Sequence, residues 1–209
     1  HLYHRRQRQM CIRDRLKQQL SELQATPKLL VGVMDLISEG KFVKAEGLCK
    51  AFMQKNPQHV EGMRLLADIA SRLGILGDAE FLLESAIEFA PDNTKVRIDY
   101  IQILRRQQNY KDALGQAKLL LQQDSQNPQF QSVFAIESMQ SGDYDMALQT
   151  FDSILKILPE DPVTLTSRGN ALKTQGRTDE AIDSYRRAIK KFPGHGEAYY
   201  SLALSLIHI

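Results

Sequence analysis

Apolar residues recur along this chain at helical spacing and then lapse at regular breaks. Near the C-terminal end Ala181, Ile182, Tyr185, Ala188 and Ile189 form one stripe. That is the i, i+3, i+4 pattern of an amphipathic helix. The pattern recurs upstream in fixed register. Ala45, Ala79, Ala113, Ala147 and Ala181 each stand 34 residues after the last, a period that belongs to stacked helix–turn–helix units. With units starting at Thr26, Val60, Thr94, Pro128 and Pro162, these alanines fall at place 20. Place 24 reads Cys49, Leu83, Ala117, Phe151 and Tyr185, and place 27 reads Phe52, Ala86, Leu120, Ile154 and Ala188.

The polar breaks carry stop and start signals at the same period. Place 15 reads Gly40, Gly74, Gln108, Gly142 and Gly176. Glycine there ends a first helix, because it adopts a left-handed conformation at little cost. Place 32 reads Pro57, Pro91, Ser125, Pro159 and Pro193, and proline stops a second helix because it lacks an N–H and clashes one turn back. Asn93, Asn127 and Asp161 at place 34 are suited to cap the next first helix. Pro128 and Pro162 follow two of these caps, at the helical position where proline is tolerated. Alanine at place 20 lets the two helices of a unit approach closely. The third unit departs most: it lacks glycine at place 15 and proline at place 32, and its places 24 and 27 exchange small and large. Local irregularity is expected there, without a break in the stack.

Both ends of the chain fall outside this pattern. Met10–Arg15 can be encoded by ATG TGT ATA AGA GAC AGA, and Leu204–Ile209 by CTG TCT CTT ATA CAC ATC. The second string is the reverse complement of the first over almost its full length. Both resemble the transposon end used to build shotgun sequencing libraries, so residues 1–15 and 204–209 are expected to be adapter read-through and are set aside from the fold. The 27 basic and 25 acidic side chains then lose five arginines and one aspartate, leaving 22 against 24. The basic excess disappears, and with it any charge argument for nucleic acid or an anionic membrane. Cys49 remains as a lone thiol and His59 and His195 as the only histidines. One cysteine makes no internal disulfide, so nothing points to an oxidising compartment; a cytoplasmic location is the expectation. No run approaches the ~18 apolar residues of a membrane span.

The glycine, alanine and proline places together resemble the tetratricopeptide repeat family. The family's small residue at place 8 stands as Ala67, Ala135 and Gly169, whereas Val33 and Ile101 depart from it. The usual tryptophan at place 4 is replaced by Met63, Arg97, Gln131 and Leu165. The resemblance implies an all-α, right-handed α-solenoid of helix–turn–helix repeats. The expected organisation is a helix over 16–25 that could cap the array, and repeats at 26–59, 60–93, 94–127, 128–161 and 162–195. A truncated sixth repeat follows over 196–203, so the natural protein is expected to continue.

In that family the first helices line a concave groove, with places 2, 5, 9, 12 and 13 pointing into it. Carried over, the candidate ligand contacts are Arg64, Asp68, Arg72, Lys95, Gln102, Arg105, Arg106, Gln129, Asn170 and Lys173. Basic residues gather in the second and third units. One reading is a site for an acidic or carboxylate-ended peptide gripped by arginine forks. The other is an ordinary solvated face, balanced by Glu61 and Asp68. The Lys–Asn pattern with which some family members clamp a chaperone's acidic C-terminus is not reproduced, since Asn170 is the only groove asparagine.

No phosphate-cradling glycine loop or cysteine metal knuckle appears. Cys49 is expected as a buried packing residue, and His59 and His195, both at place 34, as caps or solvent-exposed residues rather than a metal site. Neither catalytic residues, cofactor nor metal are therefore assigned. The expected function is a protein- or peptide-binding scaffold, a fragment of a larger bacterial protein. The run at residues 194–203 also resembles the last repeat of bacterial proteins in which such repeats precede a sulfotransferase domain. That implies, as an alternative, the non-catalytic arm of an enzyme using 3′-phosphoadenylyl sulfate. A further alternative is a structural part of a secretion or envelope assembly.

Overall fold

The computed structural model describes residues 26–207. The segment 16–25, with its expected helix, and the leading residues 1–15 lie outside the described residues. Eleven helices and no strand are found among those described. They are α1 (Lys28–Ser38), α2 (Phe42–Lys55), α3 (Val60–Arg72), α4 (Leu76–Phe89), α5 (Thr94–Arg106), α6 (Tyr110–Gln123), α7 (Pro128–Gln140), α8 (Tyr144–Ile157), α9 (Pro162–Thr174), α10 (Thr178–Lys191) and α11 (Gly196–Ile207). From α3 to α10 every first helix covers places 1–13 and every second helix places 17–30. The last helix runs past Ala203 to Ile207.

The chain divides into two compact units between Asn93 and Thr94. In the first, α1 packs on α2 and α3, and α3 on α4. In the second, α5 to α11 pack successively, and α9 also contacts α7 and α11. Each unit is a short stack of helix pairs.

The turn within each pair explains the constant helix length. The N–H of place 16 donates to the carbonyl of place 11, as from Lys41 to Leu36, Ile75 to Ala70 and Arg177 to Leu172, at 2.9–3.0 Å. This closes the helix end through a left-handed residue at place 15. Gly40, Gly74, Gly142 and Gly176 all have positive φ there. In the third unit Gln108 takes the same conformation, at φ 63°, and Asn109 donates to Leu104 at 2.9 Å like its counterparts. The turn of this hairpin is thus preserved around a left-handed non-glycine residue, and the division between the two compact units falls at the start of this repeat. A side chain in this region costs about 1–2 kcal/mol, of which glycine's greater backbone entropy returns part. Gln108→Gly is therefore expected to stabilise the second unit by about 0.5–1 kcal/mol, read as a higher urea midpoint at unchanged slope.

The place-34 residues act as caps at several helices. The Asn127 side chain accepts from the Gln129 N–H at 3.0 Å, and the Asp161 carboxylate from the Thr164 N–H at 2.8 Å. His59 does the same through Nδ1, accepting from the Gly62 N–H at 3.1 Å, with its ring set edge-on to Phe52.

All five place-20 alanines are fully buried. In the first unit Ala45 sits with Leu30, Val33, Cys49, Phe52, Leu65 and Ile69. In the second, Ala147 and Ala181 sit with Ala135, Leu148, Phe151, Ile154, Ala171, Leu172 and Tyr185. Cys49 donates to the Gly62 carbonyl at 3.4 Å, and burial pushes its thiol up to about 11. It is a packing residue and a poor nucleophile at neutral pH.

Places 8 and 24 prove to be complementary in size. Gly169 faces Tyr185, and a Cβ on Gly169 would lie 2.4 Å from the tyrosine ring. Ala135 goes with Phe151, Ala67 with Leu83, Val33 with Cys49, and Ile101 with Ala117, all of them buried. The two departures at place 8 therefore match the two smallest residues at place 24. Interiors are close-packed, so added volume on one side has to be removed on the other. Gly169→Ala is expected to cost about 1–3 kcal/mol, and Tyr185→Leu in the same chain to make that alanine tolerable. A thermal melt of the two single variants and the double variant checks this by their non-additivity.

Candidate functional site

The first helices carry the candidate residues, and the cap-to-turn spacing of each helix sets which side chains share a face. In the first unit these are Arg64, Asp68 and Arg72, all on α3. Arg64 reaches back one turn and grips Glu61 in a fork, through Nε at 2.8 Å and Nη2 at 2.7 Å. Arg72 Nε donates to both oxygens of Asp68, at 2.9 and 3.1 Å. Its guanidinium also lies 5.7 Å from the centroid of the Phe42 ring. The balance by Glu61 and Asp68 anticipated from the sequence is thus realised as intrahelical ion pairs at i, i+3 and i, i+4.

The second unit holds Lys95, Gln102, Arg105 and Arg106 on α5, Gln129 on α7, and Asn170 and Lys173 on α9. Arg105 crosses to α7. Its Nε and Nη2 both donate to Oε1 of Glu137, the former at 2.9 Å. Glu137 is fully buried, whereas a third of the Arg105 side chain, 33%, remains exposed. The second carboxylate oxygen, Oε2, is buried without a hydrogen-bond partner. Asn170 is fixed differently. The Tyr185 hydroxyl donates to its Oδ1 at 2.9 Å, and burial raises the pKa of that phenol, which keeps the donor proton in place. Gln102 and Gln129 are exposed and Lys173 is half-buried.

Two hydrogen-bond partners of the candidate residues were not apparent in the sequence. Glu137 stands at place 10, outside the groove places, and its contact bridges two repeats. Tyr185 reads as core, and its ring is core; only its hydroxyl reaches the polar face. Among the described residues no group of three or more His, Cys, Asp or Glu is placed to hold a metal, and no helix is long and apolar enough to cross a membrane.

Paired helices of fixed length, each presenting the polar side of its first helix, define a helical repeat protein. The chain belongs to the tetratricopeptide repeat family: residues 45–164 match the family profile described as Cytochrome c-type biogenesis protein H TPR domain, and residues 166–208 match the general tetratricopeptide repeat. Among curated proteins it is 30% identical over 83 residues to the peroxisomal targeting signal receptor of Saccharomyces cerevisiae, covering 40% of this chain and 14% of the receptor. The chain spans 12% to 24% of the length of curated relatives of this kind. A tetratricopeptide repeat protein from Parabacteroides merdae superposes with a TM-score of 0.75 at 22% identity, over 86% of this chain and 72% of that one. YrrB, described as a TPR protein with an unusual peptide-binding site, superposes with a TM-score of 0.63 at 15% identity, over 81% and 87% of the two chains.

Proposed function

We propose that this chain is a docking module for proteins or peptides, and that the first helices of the second unit receive an extended or helical segment. The observation that carries this reading is the way Asn170 is held. A buried tyrosine hydroxyl occupies its carbonyl oxygen, so the amide donor is oriented before any ligand arrives. Such preorganisation lowers the ordering cost of binding. The likeness to a targeting-signal receptor and to a repeat protein with a peptide-binding site supports the same class of partner. Panning displayed peptides against the full chain tests it. Selected peptides should bind an Asn170→Ala, Gln102→Ala double variant at least about tenfold more weakly, the worth of one or two lost hydrogen bonds. Equal affinity for the double variant would overturn the reading.

A second reading concerns the parent of this segment. The match of residues 45–164 to a domain of a cytochrome c-type biogenesis protein favours a component of an assembly apparatus over the arm of a sulfotransferase. Sequencing the gene on either side of residues 16–203 decides this. A following α/β domain with a phosphate-cradling loop would overturn the assembly reading.

A further inference from the structure

In the first unit the exposed stripes of the two second helices carry opposite charge. α2 exposes Lys44, Gly47, Lys50, Ala51 and Lys55, and α4 exposes Gly77, Asp78, Phe81, Glu84 and Glu88. Both sets recur at the spacing of a single helix face. α4 carries Asp78, Glu80, Glu84 and Glu88 and no basic residue, whereas α2 sets Lys44, Lys50 and Lys55 against Glu46 alone. In the second unit α6, α8 and α10 each mix both signs. Lys44 and Lys55 on α2, and Asp78 and Glu88 on α4, form no ion pair among the described residues. Two further features of this face have no use within the chain. Phe81 is 68% exposed, the most exposed aromatic side chain among the described residues. Gly47 and Gly77 lie inside helices, which glycine weakens, yet a Cβ at either would meet nothing within 4 Å. The chain's own packing does not call for their small size; the close approach of another backbone would.

Lys50 donates to Glu46 at 2.6 Å. That hydrogen bond and charge hold its ammonium above the ordinary range, and Asp78 on α4 adds to the effect. Lys50 and Asp78 thus mark one level along the two helices. As second helices of successive repeats, α2 and α4 run in the same direction. A twofold axis parallel to both, along the cleft between them, sets α2 of one copy against α4 of the other and repeats the contact on the far side. At about 1.5 Å per residue, Gly47 of one copy then lies about 3 Å along the axis from Gly77 of the other, and Ala51 about 3 Å from Phe81. The glycines let the helices close, and the phenyl ring covers the small alanine. Lys50 comes level with Asp78 and Lys55 with Glu84. We infer that the first unit pairs with a second copy of this chain, α2 against α4 in both directions. Setting α4 on α4 would instead bring acidic stripe onto acidic stripe, which costs association energy. The contact is isologous and closes at a dimer.

Docking by the first helices plays no part in this contact, so the inference stands apart from the function proposed above. Sedimentation velocity on the full chain, from about 1 μM to about 0.1 mM, is expected to show monomer and dimer in exchange and nothing larger. Raising the salt from about 50 mM to about 500 mM should weaken the dimer about fivefold or more. Phe81→Ser should raise the dissociation constant at least about tenfold with far-UV circular dichroism unchanged. Gly47→Leu should do the same while leaving the helix at least as stable, an outcome that a purely structural role for the glycine would not give. The deciding experiment exchanges charge. One variant carries Lys44→Glu, Lys50→Glu and Lys55→Glu, and the other Asp78→Lys, Glu84→Lys and Glu88→Lys. Each alone should be monomeric, because its two stripes then share a sign, and an equimolar mixture should restore the dimer. Tyr200→Ser, at an exposed position of α11, is the control and should change nothing. A monomer throughout the concentration range, or association lost with Tyr200→Ser and kept with Phe81→Ser, would overturn the inference. Failure of the mixed variants to pair while each stays folded would overturn the charge pairing, and growth beyond a dimer would overturn the twofold.

Discussion

Ala181→Trp unfolds the closing helix pairs of the second unit. Ala181 has no exposed surface and lies among Ala147, Ala171, Leu172 and Tyr185. Buried side chains enclose the methyl group, so an indole would have to displace them. Overpacking by a few methylenes already costs about 1–3 kcal/mol; an indole exceeds that range, with a loss of more than about 3 kcal/mol. A domain stable by only about 5–15 kcal/mol tolerates this poorly. Urea denaturation followed by far-UV circular dichroism should show the midpoint falling sharply or the helical signal lost outright. Ala203→Trp, at an exposed position of α11, is the control and should melt almost as the parent does. Parent-like melting of Ala181→Trp would mean that the alanine row is not where the helices meet.

Arg105→Leu destabilises the second unit by about 3 kcal/mol, and adding Glu137→Leu restores most of the loss. The reason is the asymmetry of the pair. Glu137 is fully buried and already has one oxygen without a partner. Removing the arginine leaves a carboxylate in the interior with nothing to offset its charge, which costs about 3–5 kcal/mol for buried pairs. The partial exposure of Arg105 places this case at the low end. Replacing both partners with apolar residues removes the desolvation problem altogether, and such exchanges are often neutral. A double-mutant cycle by urea denaturation gives the coupling. Additive losses from the two substitutions would show that the pair contributes through packing alone.

Much of this architecture is legible in single positions of the sequence. The helix limits at places 1–13 and 17–30, the left-handed glycines at place 15 and the buried alanines at place 20 each follow from one residue type at one place. What escapes is pairwise. Ile101 and Ala117 look like two defects when read one at a time, and the third unit looks irregular for it. Their sizes reverse those of Gly169 and Tyr185 at the same places, both are buried, and the helices keep their length. Gln108 shows the remaining gap: the turn's hydrogen bonds enforce a left-handed residue even where the side chain disfavours it. The candidate site divides the same way. Its residues sit on the first helices as their places require, but the partners that orient them, Glu137 and the Tyr185 hydroxyl, lie at places that carry no polar signature. They become visible only when neighbouring helices are seen side by side.

The reciprocal sizes at places 8 and 24 also bear on how such arrays recombine. A chimera that transplanted α5 alone onto the partner of α9 would drive the Ile101 side chain into the space of the Tyr185 ring. Moving α5 and α6 together would carry the compensation with them. The heritable cassette is therefore the matched hairpin, and viable crossover points fall in the proline-bearing linkers between hairpins rather than in the glycine bends within them.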